Sequence, residues 1–129
     1  MDQLRQMLVD GRAQVAQALR ALDCATPYTL RHTHPRRAQD GEVVTWREYD
    51  NRNTECPVVD ALSYEVMVWA RDLDALADLC SGVNRAMTAL GLRREYAAPD
   101  EFQADGLGYY TKVFRFGRRI DKRTMRLID

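Results

Sequence analysis

Between Leu62 and Ala70 the apolar side chains fall on alternate positions, and they do so on both parities. Leu62, Tyr64, Val66, Val68 and Ala70 share one parity, while Met67 and Trp69 join Ser63 and Glu65 on the other. Period two is the spacing of a β-strand, so residues 61–70 are predicted to form a strand with apolar groups on both faces. From Leu73 the period changes to steps of three and four through Leu76, Ala77, Cys80, Val83, Met87 and Leu90, the apolar stripe of a helix. Asp72 stands where it can cap that helix, Asp74 lies in its positive first turn, and Gly91 supplies the stop. Nearer the start, Leu4, Leu8, Val15, Leu19 and Leu22 keep helical offsets, which predicts an amphipathic helix over residues 2–22 with Asp2 as its cap. Gly11 weakens its middle by about 1 kcal/mol relative to alanine.

Further strands follow from shorter patterns. In PYTLRHTHP, Tyr28, Leu30, His32 and His34 share a parity up to Pro35; RRAQDGE has turn composition; VVTWREYDN alternates again. Two successive strands with a short polar connection predict a hairpin. Residues 50–60, DNRNTECPVVD, have no period and contain Pro57, so they are predicted to project as a loop. LRREY reads as a brief strand, residues 97–106 as an acidic loop, and residues 107–117 as the last strand. On that strand Tyr110, Phe114 and Phe116 share one parity and Tyr109, Thr111, Val113 and Arg115 the other. Residues 1–117 then form a single domain, and residues 118–129, RRIDKRTMRLID, a basic tail or terminal segment. The order helix, three strands, helix, short strand, strand predicts an α+β fold: a mainly antiparallel sheet of four to five strands with two helices packed on one face. The helices take the Tyr64, Val66 and Val68 side, leaving Met67, Trp69 and one row of the Tyr109, Tyr110 pair to look outward.

Composition narrows the function more than the fold. A chain of 129 residues has room for one core, and 19 basic residues balance 19 acidic ones, so no overall attraction to polyanions is expected. The three cysteines, Cys24, Cys56 and Cys80, form no CxxC pair or metal-ligand spacing and are expected to be reduced thiols. No stretch reaches the roughly 20 apolar residues of a membrane span, and the N-terminus lacks the run of a signal peptide. Synthesis and assembly in the cytoplasm are the expectation.

Candidate chemistry is sparse. His32 and His34 at alternate strand positions could pair on one face as ligands or bases, but no third ligand has a recognisable spacing. Cys56 sits in a polar loop without an assignable base, and Cys80 lies on an apolar stripe. Glycine-rich phosphate loops, nucleophile elbows and metalloprotease helices do not occur, so neither catalysis nor a cofactor or metal is expected. The clearest asymmetry is electrostatic: Glu95, Asp100, Glu101 and Asp105 crowd one region, and Arg115, Arg118, Arg119, Lys122, Arg123 and Arg126 crowd the C-terminal end. Such runs are either solvated faces or the two halves of a head-to-tail contact between copies. Nucleic-acid contact by the basic end is the weaker reading, because the patch has no interleaved aromatics.

The run LSYEVMVWARDLDALADLCSGVNRAMTALGLRREY followed by DGLGYYTKVFRFG resembles the tail terminator, or tail completion, proteins of long-tailed bacteriophages and prophages. The features that carry the resemblance are Tyr64, Val66, Val68 and Trp69 on a strand; Asp72 at a helix start; Leu90 and Gly91 at its end; Arg93 and Arg94; Asp100; and Gly106, Gly108, Tyr109 and Tyr110 opening a strand that ends at Arg115 and Phe116. With TWREYDN they cover residues 44–117; the basic segment after them departs from the family's earlier stop. The resemblance implies a non-enzymatic subunit without cofactor that forms a ring, expected to be hexameric, on the finished tail tube. Its implied partners are copies of itself, the tail tube protein and the head-tail connector, with no membrane and no specific nucleic acid. Its implied place is the virion tail, after assembly in the bacterial host's cytoplasm. On that view Met67, Trp69, Tyr109 and Tyr110 are expected as interface anchors, with Glu95, Asp100, Glu101, Asp105, Arg115, Arg118 and Arg119 as charged contacts. Two alternatives stand beside it: a head-completion or head-tail joining ring, and a small ligand-binding or enzymatic domain using His32, His34 and Cys56.

Overall fold

The computed structural model describes residues 2–128. The chain runs α1 (Asp2–Gln6), α2 (Arg12–Arg20), β1 (Thr29–Arg31), a 3-10 turn at Ala38–Asp40, β2 (Val43–Asn53), β3 (Val59–Ala70), α3 (Leu73–Ala89), β4 (Arg93–Ala97), β5 (Glu101–Phe102), β6 (Tyr110–Asp121) and β7 (Arg126–Ile128). The fold is α+β, with a mixed seven-stranded sheet in the order β1-β2-β3-β6-β4. Strands β5 and β7 also pair with β6. Because β3 pairs with the whole length of β6, from Ala70↔Tyr110 to Val59↔Asp121, the three short strands share the other edge of β6 end to end.

The two predicted faces of β3 are real. Register sets Val44 beside Val68, Trp46 beside Val66 and Tyr64 beside Phe116, with Val66 opposite Phe114, giving one continuous apolar floor. Val15 and Leu19 of α2 and Leu76, Leu79, Val83 and Met87 of α3 close over it. Each large side chain so buried contributes about 1.5–3 kcal/mol of transfer free energy before chain entropy is subtracted. In α3 the Asp72 carboxylate accepts from the Ala75 amide at 2.7 Å, and the helix ends before Gly91, whose φ is +91°. Its buried stripe departs from the predicted one: Leu79 and Gly82 are buried beside Leu76, Cys80, Val83 and Met87, while Ala77 is exposed and Leu73 is 51 % exposed.

Four expectations are corrected. The N-terminal helix is two short ones broken before Gly11, where a Cβ would come within 2.5 Å of the Tyr64 hydroxyl; close packing against the sheet, rather than helix continuity, decides that glycine. The cap expected from Asp2 lies outside the described side chains. Strands β1 and β2 are parallel, not a hairpin, with Thr29 beside Val43 and Arg31 beside Thr45, so residues 32–42 must travel back along the sheet. Residues 50–60 are no free loop: β2 and β3 stay paired out to Asn53↔Asp60, and the link is held by Thr54 Oγ1 donating to the Val59 carbonyl at 2.7 Å. A bulge between Glu48 and Asp50 shifts the register and erases the alternation that would have marked the strand.

The fourth concerns the C-terminal end. β6 runs on to Asp121 instead of stopping at Gly117, and β7 pairs back with Arg119↔Ile128 and Asp121↔Arg126. The basic segment is thus part of the sheet. Lys122, in the turn, donates its amide to the Val58 carbonyl at 2.7 Å and turns its side chain inward onto Asp60.

Candidate interaction surface

The sheet face opposite the helices has two unlike halves. At one end Val43, Trp69 and Tyr109 form a second small core with Met67 and Leu107 packed against it. The returning segment between β1 and β2 roofs it. The Tyr109 hydroxyl donates to the Gly41 carbonyl at 2.7 Å, and the His34 ring stacks on Trp69 with centroids 5.9 Å apart. Trp69 Nε1 donates to Thr45 Oγ1 at 3.3 Å, and the Trp69 and Tyr109 rings meet edge to face at 6.3 Å. Trp69 is 8 % exposed and Tyr109 fully buried, so the expectation that they look outward is corrected: they lie on the predicted face, but the parallel crossover covers them. Tyr110 belongs to the helix face, opposite Ala70, and its ring meets Phe102 at 4.9 Å. Of the four expected anchors, Met67 alone keeps partial exposure on the open face.

The histidines do not converge. β1 ends at Arg31, so alternation fails beyond it; His32 tilts onto Trp46 at 5.2 Å, on the helix side, while His34 is on Trp69, on the other. No three His, Cys, Asp or Glu side chains group as metal ligands among the described residues. The thiols also lie apart: Cys56 is exposed at the β2–β3 link, Cys24 is half-buried, and Cys80 is buried on the inner face of α3, where loss of solvent pushes its pKa up to about 12. A thiol-specific chromogenic reagent at neutral pH is expected to titrate Cys56 in the native protein at once and Cys80 only after denaturant is added. Rapid native reaction of Cys80 would contradict the packing.

Much of the charge asymmetry is satisfied internally. Asp100 pairs with Lys112 at 3.1 Å, Arg123 with Asp121 at 2.9 Å, and Lys122 with Asp60 at 3.1 Å. Arg118 donates to the carbonyls of Gly91 at 2.8 Å and Ile128 at 3.1 Å, tying β7 to the end of α3. Glu95 accepts from Ser63 Oγ at 3.1 Å. Arg119 remains exposed, as do Glu101 and Asp105.

What stays open is the other half of the face. Register places Arg47, Glu65, Arg115 and Tyr96 in one row across β2, β3, β6 and β4. Arg47 Nε donates to Glu65 at 3.0 Å. The Arg115 guanidinium lies between two rings, 4.9 Å from the centroid of Tyr49 and 4.8 Å from that of Tyr96, and Arg47 is 5.6 Å from Tyr49. Beyond the row the sheet sinks into a cleft of about 530 Å³ floored by Ala61, Ser63 and Gly117. Gly117 is required there, since a Cβ would meet the Leu62 carbonyl oxygen at 2.6 Å and the carboxylate of Glu95 folded over it. Arg52, Arg93, Arg115, Arg118 and Arg119 line the cleft against Asp50 and Glu95, an excess of three positive charges. Sequence reasoning picked out Glu95, Arg115, Arg118 and Arg119 here, named Arg93 only among the residues that carry the resemblance, and missed Arg47, Tyr49, Arg52 and Tyr96. Only the cross-strand register gathers them.

Comparison of the chain with models of known protein families and with curated proteins gives no match.

Proposed function

We propose that this protein is a structural subunit which assembles with copies of itself into a ring on the end of a phage-type tail tube, ends tube growth there and offers the docking surface for the head connector. The observation that carries this reading is the one-sided architecture. Both longer helices close one face of the sheet, while the row Arg47, Glu65, Arg115, Tyr96 and the cleft beside it lie uncovered on the other. The order of elements and the residues from Tyr64 to Phe116 that resemble tail terminators agree with it. The work is mechanical: surface removed from water on assembly contributes about 25 cal/mol per Å² of apolar area, offset by the entropy of association. The partners are copies of the chain, the tube and the connector, and the place of action is the virion tail.

The test is electron microscopy of particles assembled without the protein. Overlong tails are expected. Tails of normal length lying free of filled heads would move the assignment to a head-tail joining ring, and normal complete particles would end it.

A further inference from the structure

The cationic cleft has a counterpart on the same chain. Residues 98–106 carry Asp100, Glu101 and Asp105, no lysine or arginine, and Phe102, which is 58 % exposed on the two-residue strand β5. Asp100 is neutralised by Lys112, so the loop presents two negative charges, Glu101 and Asp105, and one aromatic ring, against the three positive charges in excess and the flanking Tyr49 and Tyr96 of the cleft. Its centre is held away from its own cleft: Asp100 pairs with Lys112 and Phe102 packs on Tyr110, both on the helix side of the sheet, whereas the cleft lies on the open side. Phe102 pairs with Tyr110 at the start of β6, whereas Gly117 floors the cleft near its end, roughly 20 Å away at about 3.3 Å per residue. Complementary patches held that far apart on one rigid strand can satisfy each other only between molecules, and the resulting contact is head-to-tail.

We infer that the 98–106 loop of one copy, with Phe102 at its centre, docks in the Arg115 and Arg119 cleft of the next copy. The inference rests on the self-assembly in the proposed ring and names the two surfaces that meet. Nucleic acid fits the cleft less well. The Tyr49 ring already has the Arg47 and Arg115 guanidinium groups over it, and Arg115 lies over Tyr96, so few ring faces remain for stacked bases. Asp50 and Glu95 inside the cleft act on phosphates and carboxylates alike, and both are engaged, Asp50 by Arg52 at 2.8 Å and Glu95 by the Ser63 hydroxyl at 3.1 Å. A peptide loop with carboxylates and a ring edge can place its charges between the guanidinium groups.

The test is sedimentation of the full-length protein across concentration, with two sets of variants: Arg115→Glu with Arg119→Glu in the cleft, and Glu101→Gln with Asp105→Asn in the loop. Arg119→Glu alone, at an exposed position, guards against misfolding of the cleft double variant. Wild type is expected to gain mass with concentration, and each set to weaken association at least tenfold. An equimolar mixture of the two double variants retains one good cleft and one good loop, and is expected to stop at a dimer. A wild-type protein that stays monomeric up to about 1 mM, the weak end of specific contacts, overturns the inference. So does assembly indifferent to both sets, or an Arg119→Glu variant that assembles normally but no longer retards a single-stranded oligonucleotide. Normal tails without the protein, combined with dimers from the mixture, would sink the tail reading and leave this contact standing. Overlong tails with assembly indifferent to both sets would do the reverse.

Discussion

Lys122→Ala is expected to destabilise the protein by about 3–5 kcal/mol, a large share of the 5–15 kcal/mol that holds a typical domain together. The Lys122 and Asp60 side chains are 0 % and 4 % exposed, and the ammonium nitrogen lies 3.1 Å from the carboxylate. Among the described residues neither atom has a hydrogen-bond partner, so the contact is a bare ion pair without hydrogen-bond geometry. Truncating the lysine therefore strands a carboxylate in apolar surroundings beneath two hairpins, where desolvation has nothing to offset it. Asp60→Ala strands the ammonium and is expected to cost a similar amount. Replacing both, Asp60→Leu with Lys122→Met, removes both buried charges and is expected to return stability to the wild-type value or above it. Urea unfolding with an unchanged m value reads all three effects. A loss below about 1 kcal/mol for Lys122→Ala, the general scale of solvent-exposed ion pairs, would show that solvent reaches the site.

The same pair changes how the C-terminal segment can be studied. Deleting residues 118–129 would remove Ile120 from the core, Lys122 from Asp60 and the Arg118 bonds to Gly91 and Ile128. A truncated protein would report its own unfolding before it reported any lost partner. Point substitutions at exposed Arg119 leave those contacts in place.

How far the sequence could be read depends on where each element's information is stored. β3 and α3 were legible because their periods come from burial along their whole length, and Asp72 marks the helix start with its own side chain. The direction of β1 was not legible. Its three residues carry too little pattern to distinguish a hairpin from a parallel return, and the polar residues after it do double duty as turn and as roof. Residues 50–53 looked like a loop because a bulge at Tyr49 breaks the alternation and their own side chains, Asp50 to Asn53, are all polar and partly or fully exposed. The candidate surface shows the same division. Its charges were countable from the sequence, but the stacking of Arg115 between Tyr49 and Tyr96 depends on three strands brought together from distant parts of the chain.

Trp69 carries the other large effect, and it separates a core role from an anchor role. Trp69→Ala is expected to cost about 3–5 kcal/mol, the range for removing a buried aromatic ring. It would open a cavity beside Tyr109, release the Thr45 hydroxyl from its 3.3 Å bond and take away the ring on which His34 stacks. All of those partners belong to one protomer. The loss should therefore appear in urea unfolding of dilute protein, while association per folded molecule, measured by sedimentation at a temperature where both forms are native, stays the same. Trp69→Phe should recover much of the stability, since it keeps the ring volume facing Tyr109 and gives up the indole N–H bond. Arg115→Ala should show the opposite profile. Its two ring contacts on the open face are worth about 0.5–1 kcal/mol each to the protomer, yet association should weaken sharply because the cleft loses its central cation. A Trp69→Ala protein as stable as wild type, but unable to associate, would mean that the crossover lifts from the sheet in solution and that the indole meets another copy after all.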